Sequence, residues 1–321
     1  MQQSTFKYSY LFLFSFLFAS CENYIEFKGE DKETKLVINH VIDTSKDTQY
    51  LDLSASYFLF GDNDYDWWDP SSSVQPGGWD GQWPGGDIGN LPIEVTVNGE
   101  SQALSLGSSQ LEYKAALQAG DKIAIDVDHE WTGRVHVEET VPEVPVILSV
   151  DTLRFYDAER ECLFMRSLIT IKDNPRERNF YRLIIRKKTL YSEGTQWEYL
   201  DETTHYYIDQ DPALNSLADQ TSEDEDENVC RIFSDNIFDG KEYTINVYFL
   251  LGFNAKELKE KVSFDIELYA ITESLYLYLR SLEQSWKSDV FSQPVRIYSN
   301  VKGGYGILGI QNPTILSYDV K

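Results

Sequence analysis

Between Gly61 and Asn90 the sequence places Trp67, Trp68, Trp79 and Trp83 among glycines, aspartates and prolines. Exposed tryptophans offer flat apolar faces to sugar rings, aromatic ligands or another protein. An insertion of this length, 61–90, is uncommon inside a compact domain and often functional. The competing reading is a loop that buries its own tryptophans, because glycine-rich chain needs large side chains to pin it. The same stretch carries Asp62, Asp64 and Asp66, spaced like the first ligands of a calcium loop. Trp67 then stands where such a loop wants a turn glycine, and Ser73 where it wants a bidentate glutamate. A solvated acidic turn fits better, and a structural calcium is the alternative.

Other residues with chemical potential form no constellation. His40, His129, His136 and His205 are scattered, with no pair at helical metal-binding spacing. There is no Gly-x-Ser-x-Gly elbow. The acidic run Glu223 to Glu227 reads as solvated loop. Gly304 to Gly309 matches the dinucleotide-loop expression, but no βαβ unit surrounds it and too little chain follows to build the ribose contact. An enzyme is not expected.

Cys21 has the clearest chemistry. Residues 1–20 hold a single charge, Lys7, then the apolar block Leu11 to Phe18, then Ala19-Ser20 before the cysteine. That order is a lipoprotein signal peptide: a positive region, an apolar region too short to span a bilayer, small residues at the cut, and a thiol for diacylglycerol. Phe18 stands where leucine is commoner. An ordinary signal peptide with a cysteine nearby is the weaker reading. Two acyl chains on Cys21 would anchor the mature chain without a transmembrane helix.

Composition narrows the partners. The formal net charge is −25, and removing residues 1–20 takes away only Lys7, leaving −26. A surface of that sign repels phosphate backbones, so nucleic acid is not expected. After Cys21 only Cys162 and Cys230 remain. A disulfide between them and two separate thiols are equally open.

The elements that must position these groups read mainly as strands. Residues 21–33 are polar and form a tether. Over 34–142, short alternating runs recur at Leu36–Ile38, Tyr50–Phe60, Ile93–Val97, Ala103–Leu106, Leu111–Ala115, Ile123–Val127 and Val135–Val137. Asn98-Gly99 between two of them is a strong hairpin signal. Such a series predicts an immunoglobulin-like β-sandwich. Pro142, Val144, Pro145, Val146 and Ile147 mark the boundary to a second β-rich domain, 143–321. Its one amphipathic helix spans about 272–286, capped by Thr272, with Leu275, Leu279, Leu282 and Trp286 as the buried stripe.

Three phrases in the second domain occur in a recognisable order. They are Asp173-Asn174-Pro175 leading to Asn179-Phe180-Tyr181-Arg182-Leu183; Phe233-Ser234-Asp235 with Phe238-Asp239-Gly240-Lys241-Glu242-Tyr243; and Tyr276 and Tyr278, then Pro294, Ser299-Asn300-Val301 and Gly303 to Gly309. With Cys21 and Lys35-Leu36-Val37, they resemble the Bacteroidota lipoproteins grouped as domain-of-unknown-function family 4249. The resemblance implies an outer-membrane lipoprotein, often encoded beside a TonB-dependent transporter barrel. It brings no ligand and no catalytic residues. The expectation is therefore a lipid-anchored binding protein facing the cell surface, assisting such a barrel in nutrient uptake. Its partners would be the membrane, the barrel and an unidentified small ligand. A free-standing adhesive or structural lipoprotein is the alternative, and a hydrolase the more distant one.

Overall fold

The computed structural model describes residues 35–56, 82–83, 86–87, 92–107, 110–129, 133–175, 177–193, 196–203, 206–208, 211–214, 232–253, 261–286 and 295–320. All belong to one compact unit, Thr34–Ser56 with Gly77–Lys321.

The fold is mainly β. In chain order the strands are β1 (Leu36–Asp43), β2 (Thr48–Ala55), β3 (Gln82–Trp83), β4 (Gly86–Asp87), β5 (Ile93–Val97), β6 (Glu100–Ser101), β7 (Ser105–Leu106), β8 (Leu111–Lys114), β9 (Lys122–His129) and β10 (Gly133–Thr140). There follow β11 (Val146–Asp157), β12 (Cys162–Lys172), β13 (Phe180–Glu193), β14 (Gln196–Thr203), β15 (Tyr206–Ile208), β16 (Ile232–Ser234), β17 (Glu242–Phe253) and β18 (Lys261–Ile271). The helix α1 (Glu273–Trp286) precedes the last strand, β19 (Tyr305–Asp319).

One large sheet runs through both halves of the chain, in the order β14-β13-β18-β19-β1-β2-β8-β7, with β16 also paired to β13. Two four-stranded sheets, β10-β9-β5-β6 and β11-β12-β17-β15, make up most of the rest. Alternation explains which faces pack. On β9, Ile123, Ile125 and Val127 are buried while their neighbours are not. They meet Leu36, Ile38 and Ile42 of β1 and Leu51 and Leu53 of β2 in a first core. A second core joins Leu163, Met165, Ile169 and Ile171 of β12 to Leu183 and Ile185 of β13 and Phe264, Ile266 and Leu268 of β18. The large sheet runs through both cores, and the first core takes Val301, Leu308 and Ile310 from the end of the chain.

The strand that joins them is β19. Residues Tyr305–Gln311 pair parallel with Val37–Asp43 of β1, and Gln311–Asp319 pair antiparallel with β18. Leu308 and Ile310 therefore enter the first core, and Tyr318 packs on the second. Gly306 has φ +103°, and a side chain there would overlap the Ile38 carbonyl, so glycine permits the close parallel approach. The glycine-rich phrase Gly303 to Gly309 is accordingly the entry to a strand.

The expected hairpin at Asn98-Gly99 is present: both residues have positive φ and Val97 pairs with Glu100. The helix also starts where expected. The Thr272 hydroxyl accepts a hydrogen bond from the Leu275 amide at 3.4 Å, and its carbonyl accepts one from Tyr276 at 3.0 Å. The stripe is narrower than the spacing suggests: Leu275 and Tyr276 are buried, and Leu279 only partly. The segment read as a domain boundary, Pro142 to Ile147, runs at Val146 into a twelve-residue edge strand, β11.

Candidate functional site

The sequence-selected residues mostly fall outside the described residues: Cys21, Asp62, Asp64, Asp66, Trp67, Trp68 and Trp79 all do. Trp83 belongs to β3 and pairs through its backbone with Gly86. Of the four histidines, His40 lies in the first core and His136 sits 2.9 Å from the Asp126 carboxylate. His205 is outside the described residues. Cys162 is a buried free thiol that donates to the Arg160 carbonyl at 3.1 Å; Cys230 is also outside.

What the fold brings together is the first two of the three phrases. Asp173 follows the last residue of β12, and Asp235 follows the last residue of β16. Each ends a strand in a loop whose backbone donors have lost their ladder partners. Asp173 serves one such donor and a side chain at once: Oδ2 accepts from the Gly240 amide at 2.7 Å and Oδ1 from the Tyr181 hydroxyl at 2.5 Å. Asp235 Oδ2 accepts from the Asn179 amide at 2.6 Å, while its own amide donates to the Asn179 carbonyl at 3.1 Å. Gly240 has φ +68° and packs against Pro175, so the turn requires glycine and fits the proline.

Asp239 completes a triad of carboxylates. One oxygen from each of Asp173, Asp235 and Asp239 lies within 4.8 Å of the others, the only such group of metal-ligating side chains among the described residues. Asp173 and Asp235 are buried and Asp239 is exposed. Burial raises the Asp235 carboxyl above its ordinary range; the Asn179 amide opposes that rise, and the charges of Asp173 and Asp239 add to it. Tyr181 is pushed up by burial and by its bond to Asp173. Chemically, such a group can share a proton, or lend its exposed side to a hard cation, which prefers oxygen ligands. Its evident work is to pin loops: both oxygens of Asp173 already accept bonds from protein donors.

A ring stack supports the triad from below. Tyr181 stacks on Phe233 at 5.3 Å, and Phe238 on Tyr243 at 4.7 Å between centroids. Tyr243 repeats the tyrosine–aspartate pin, donating to Asp211 at 2.7 Å, and Asp211 also accepts from the Ala213 and Asn246 amides. Reading the sequence for ligand motifs missed this group, because Asp173 lies some sixty residues before the segment that holds Asp235 and Asp239. The signal that could have found it was the phrases themselves, in which each aspartate keeps company with tyrosine, glycine or asparagine.

A third polar assembly lies on the other face of the large sheet. The Arg186 guanidinium bonds both oxygens of Glu267 at 2.9 and 3.3 Å, and Lys188 meets Asp265 at 2.7 Å. Tyr269 donates to Glu267 at 2.9 Å. These charges neutralise one another across β13 and β18.

Compared with known families, the sequence matches the one described as Domain of unknown function (DUF4249) over residues 22–315. No curated protein matched.

Proposed function

The chain belongs to the DUF4249 family, and from that premise we propose that it is a lipid-anchored outer-membrane binding protein assisting a TonB-dependent transporter in nutrient capture or uptake. The observation that carries the reading is positional. The family match begins at residue 22, immediately after Cys21, so the matched body starts where a cut and lipidated chain would start. Among the described residues no helix is long and apolar enough to cross a membrane, which leaves the acyl chains as the anchor in this reading.

The body suits binding better than catalysis in the same reading. Strand order supports an immunoglobulin-like first half: β1-β2-β8-β7 faces β10-β9-β5-β6, the sequence of sheets A-B-E-D and G-F-C-C′. Sandwiches of that kind present their connections at their ends, and in this reading the insertion carrying Trp67, Trp68, Trp79 and Trp83 is one of these connections. It would supply the apolar face for the ligand, with Asp62, Asp64 and Asp66 holding at most a structural calcium. The chain would face the cell surface.

The test is gentle-detergent purification of the tagged protein from a Bacteroidota host, with mass spectrometry of what accompanies it. A barrel of the TonB-dependent class in stoichiometric amount is the expected result. Its absence from cells expressing the neighbouring genes would overturn the accessory role and leave a free-standing adhesive lipoprotein. Mass analysis of the Cys21 peptide tests the anchor separately.

A further inference from the structure

A strand at the edge of a sheet offers its outer amides and carbonyls to any chain that can lie beside it. Folded proteins blunt such edges with brevity, charge or a bulge. Most described edges of this protein follow that rule. β6 and β7 have two residues each, and β15 has three. β10 carries Arg134, Glu138 and Glu139 and is bridged by Lys302, and β14 carries Glu198, Asp201 and Glu202. β11 departs from it. This strand is twelve residues long and ends its sheet, and no strand among the described residues pairs with its outer side. A bulge between Ile147 and Ser149 blunts only its start. From Ser149 to Asp157 it runs in unbroken register with Thr170 to Cys162 of β12.

That stretch presents an apolar face in neutral surroundings. Leu153, at 64% the most exposed large apolar side chain among the described residues, shares the outer face of the sheet with Phe155 and Leu168. The chain as a whole sets 53 acids against 28 lysines and arginines. From Val146 to Lys172 the signs balance: Asp151, Asp157, Glu159 and Glu161 are matched by Arg154, Arg160, Arg166 and Lys172. β15 and β17 add only Glu242, and Glu143 lies on the far side of the bulge. Two acidic chains can therefore meet along this edge without the repulsion that their net charge otherwise imposes.

We propose that β11 is the interface of a homodimer, in which Ser149–Asp157 of two copies pair antiparallel about a two-fold axis at Leu153. A two-fold normal to the sheet keeps outer face beside outer face only if it passes through a residue rather than between two. With the axis at Leu153, that leucine meets its own counterpart, Asp151 meets Phe155, and Ser149 meets Asp157. The whole bulge-free stretch is then paired, and no like charges stand directly opposite. Moving the axis to Asp151 or Arg154 sets that charge against its own copy, and moving it to Thr152 brings Tyr156 onto the bulge at Leu148. Backbone bonds supply the affinity, as in any added strand, and the row of Leu153 and Phe155 from both copies covers them. A pair about 30 Å long buries less than the roughly 1,200 Å² of a standard interface. Free chains therefore associate weakly, and chains held in one membrane, as lipidation of Cys21 would hold them, do so more completely.

The test uses the full chain with Cys162→Ala and Cys230→Ala, oxidised with copper phenanthroline in the membranes of cells that make it. Dimer is read on non-reducing gels, and the same background without a new cysteine sets the baseline. Across the axis the two Leu153 Cα atoms lie roughly 4.5–5.5 Å apart, within disulfide reach. Asp151 and its counterpart are about 14 Å apart, beyond it. Leu153→Cys should therefore form a disulfide-linked dimer at least about tenfold faster than Asp151→Cys or Phe155→Cys alone. Co-expressed, those two should link to each other. Added to Leu153→Cys, Thr152→Asp faces Arg154 of the other copy and should speed the reaction about threefold, and Thr152→Lys should slow it by as much. No dimer from Leu153→Cys above the baseline, or equal rates from all three single variants, would overturn the proposal. So would Leu153→Cys linking only to a different protein, which would make this edge the seat of a partner's strand.

Discussion

The two cores of this protein solve the same packing problem with different materials. The first is almost wholly aliphatic, built of leucine, isoleucine and valine, with His40 and Tyr113 as its buried polar pair. The second adds to its aliphatic residues a set of rings, Tyr181, Phe233, Phe238, Phe249 and Phe264, and is fringed by the buried carboxylates of Asp173, Asp211 and Asp235. The reason lies in connectivity. Short hairpins join most strands around the first core, so sheet ladders satisfy the backbone. In the second, loops fold over strand ends and leave amide donors that only a side chain can reach. Aliphatic packing tolerates many sequences. A carboxylate aimed at two donors tolerates few.

The largest effect should come from the aromatic core. Phe249 is fully buried and meets Phe264 edge-on at 5.2 Å. Phe249→Ala is expected to cost about 3–5 kcal/mol, against about 0.5–1.5 kcal/mol for Ile125→Val in the aliphatic core. Urea unfolding of the two variants measures both. Because β19 serves both cores, each variant should still unfold in one transition. Two separated transitions would show that the cores are independent and that the shared strand does not couple them.

The next effect belongs to the charged face of the second half. Arg186→Met leaves Glu267, whose side chain is 7% exposed, without its guanidinium. An uncompensated buried charge costs about 3 kcal/mol. The double variant Arg186→Met with Glu267→Leu should recover most of the loss. No recovery would mean that Tyr269 and its neighbours depend on the carboxylate itself.

How much of this was legible differs between the cores for the same reason. Ile123, Ile125 and Val127 alternate with polar residues, so β9 and its face follow from period two alone. Asn98-Gly99 announced its turn, and Thr272 its helix. β19 was not legible as a strand, because glycines at 303, 304, 306 and 309 read as loop; the parallel partner and α1 that demand them lie far away in sequence. β11 was hidden by Pro142 and Pro145. Spacing alone could not bring Asp173 to Asp235 and Asp239, since it follows β12 of one sheet while Asp235 follows β16, which pairs with β13 of another.

The aliphatic core carries one pH-dependent group, His40. His40 is fully buried; its Nδ1 donates to the Tyr50 carbonyl at 2.8 Å, so Nε2 must accept from the Tyr113 hydroxyl at 2.9 Å. Burial lowers its pKa from 6.5 to about 4. The unfolded chain therefore takes up the proton first. Stability is complete above pH 6.5 and is lost as pH falls towards 4, by about 3 kcal/mol in all. His40→Gln keeps a donor for Tyr50 and should flatten that part of the urea-midpoint profile. An unchanged slope would assign the acid sensitivity to the carboxylates of the second half.

The smallest effect asks what the aspartate triad is for. Asp235 is held above its ordinary range, so the folded state binds its proton more tightly than the unfolded one, and this group favours folding as pH falls. Asp239 is exposed and adds repulsion without pinning a loop among the described residues. Asp239→Asn should therefore stabilise the protein at pH 7, by no more than about 0.5 kcal/mol. Asp173→Asn should do the opposite by about 1 kcal/mol or more, since an amide nitrogen would then face either Tyr181 or Gly240. If Asp239→Asn destabilises instead, and does so only when calcium is supplied, the triad holds a cation, and the carboxylate that looks idle is the one the ion needs.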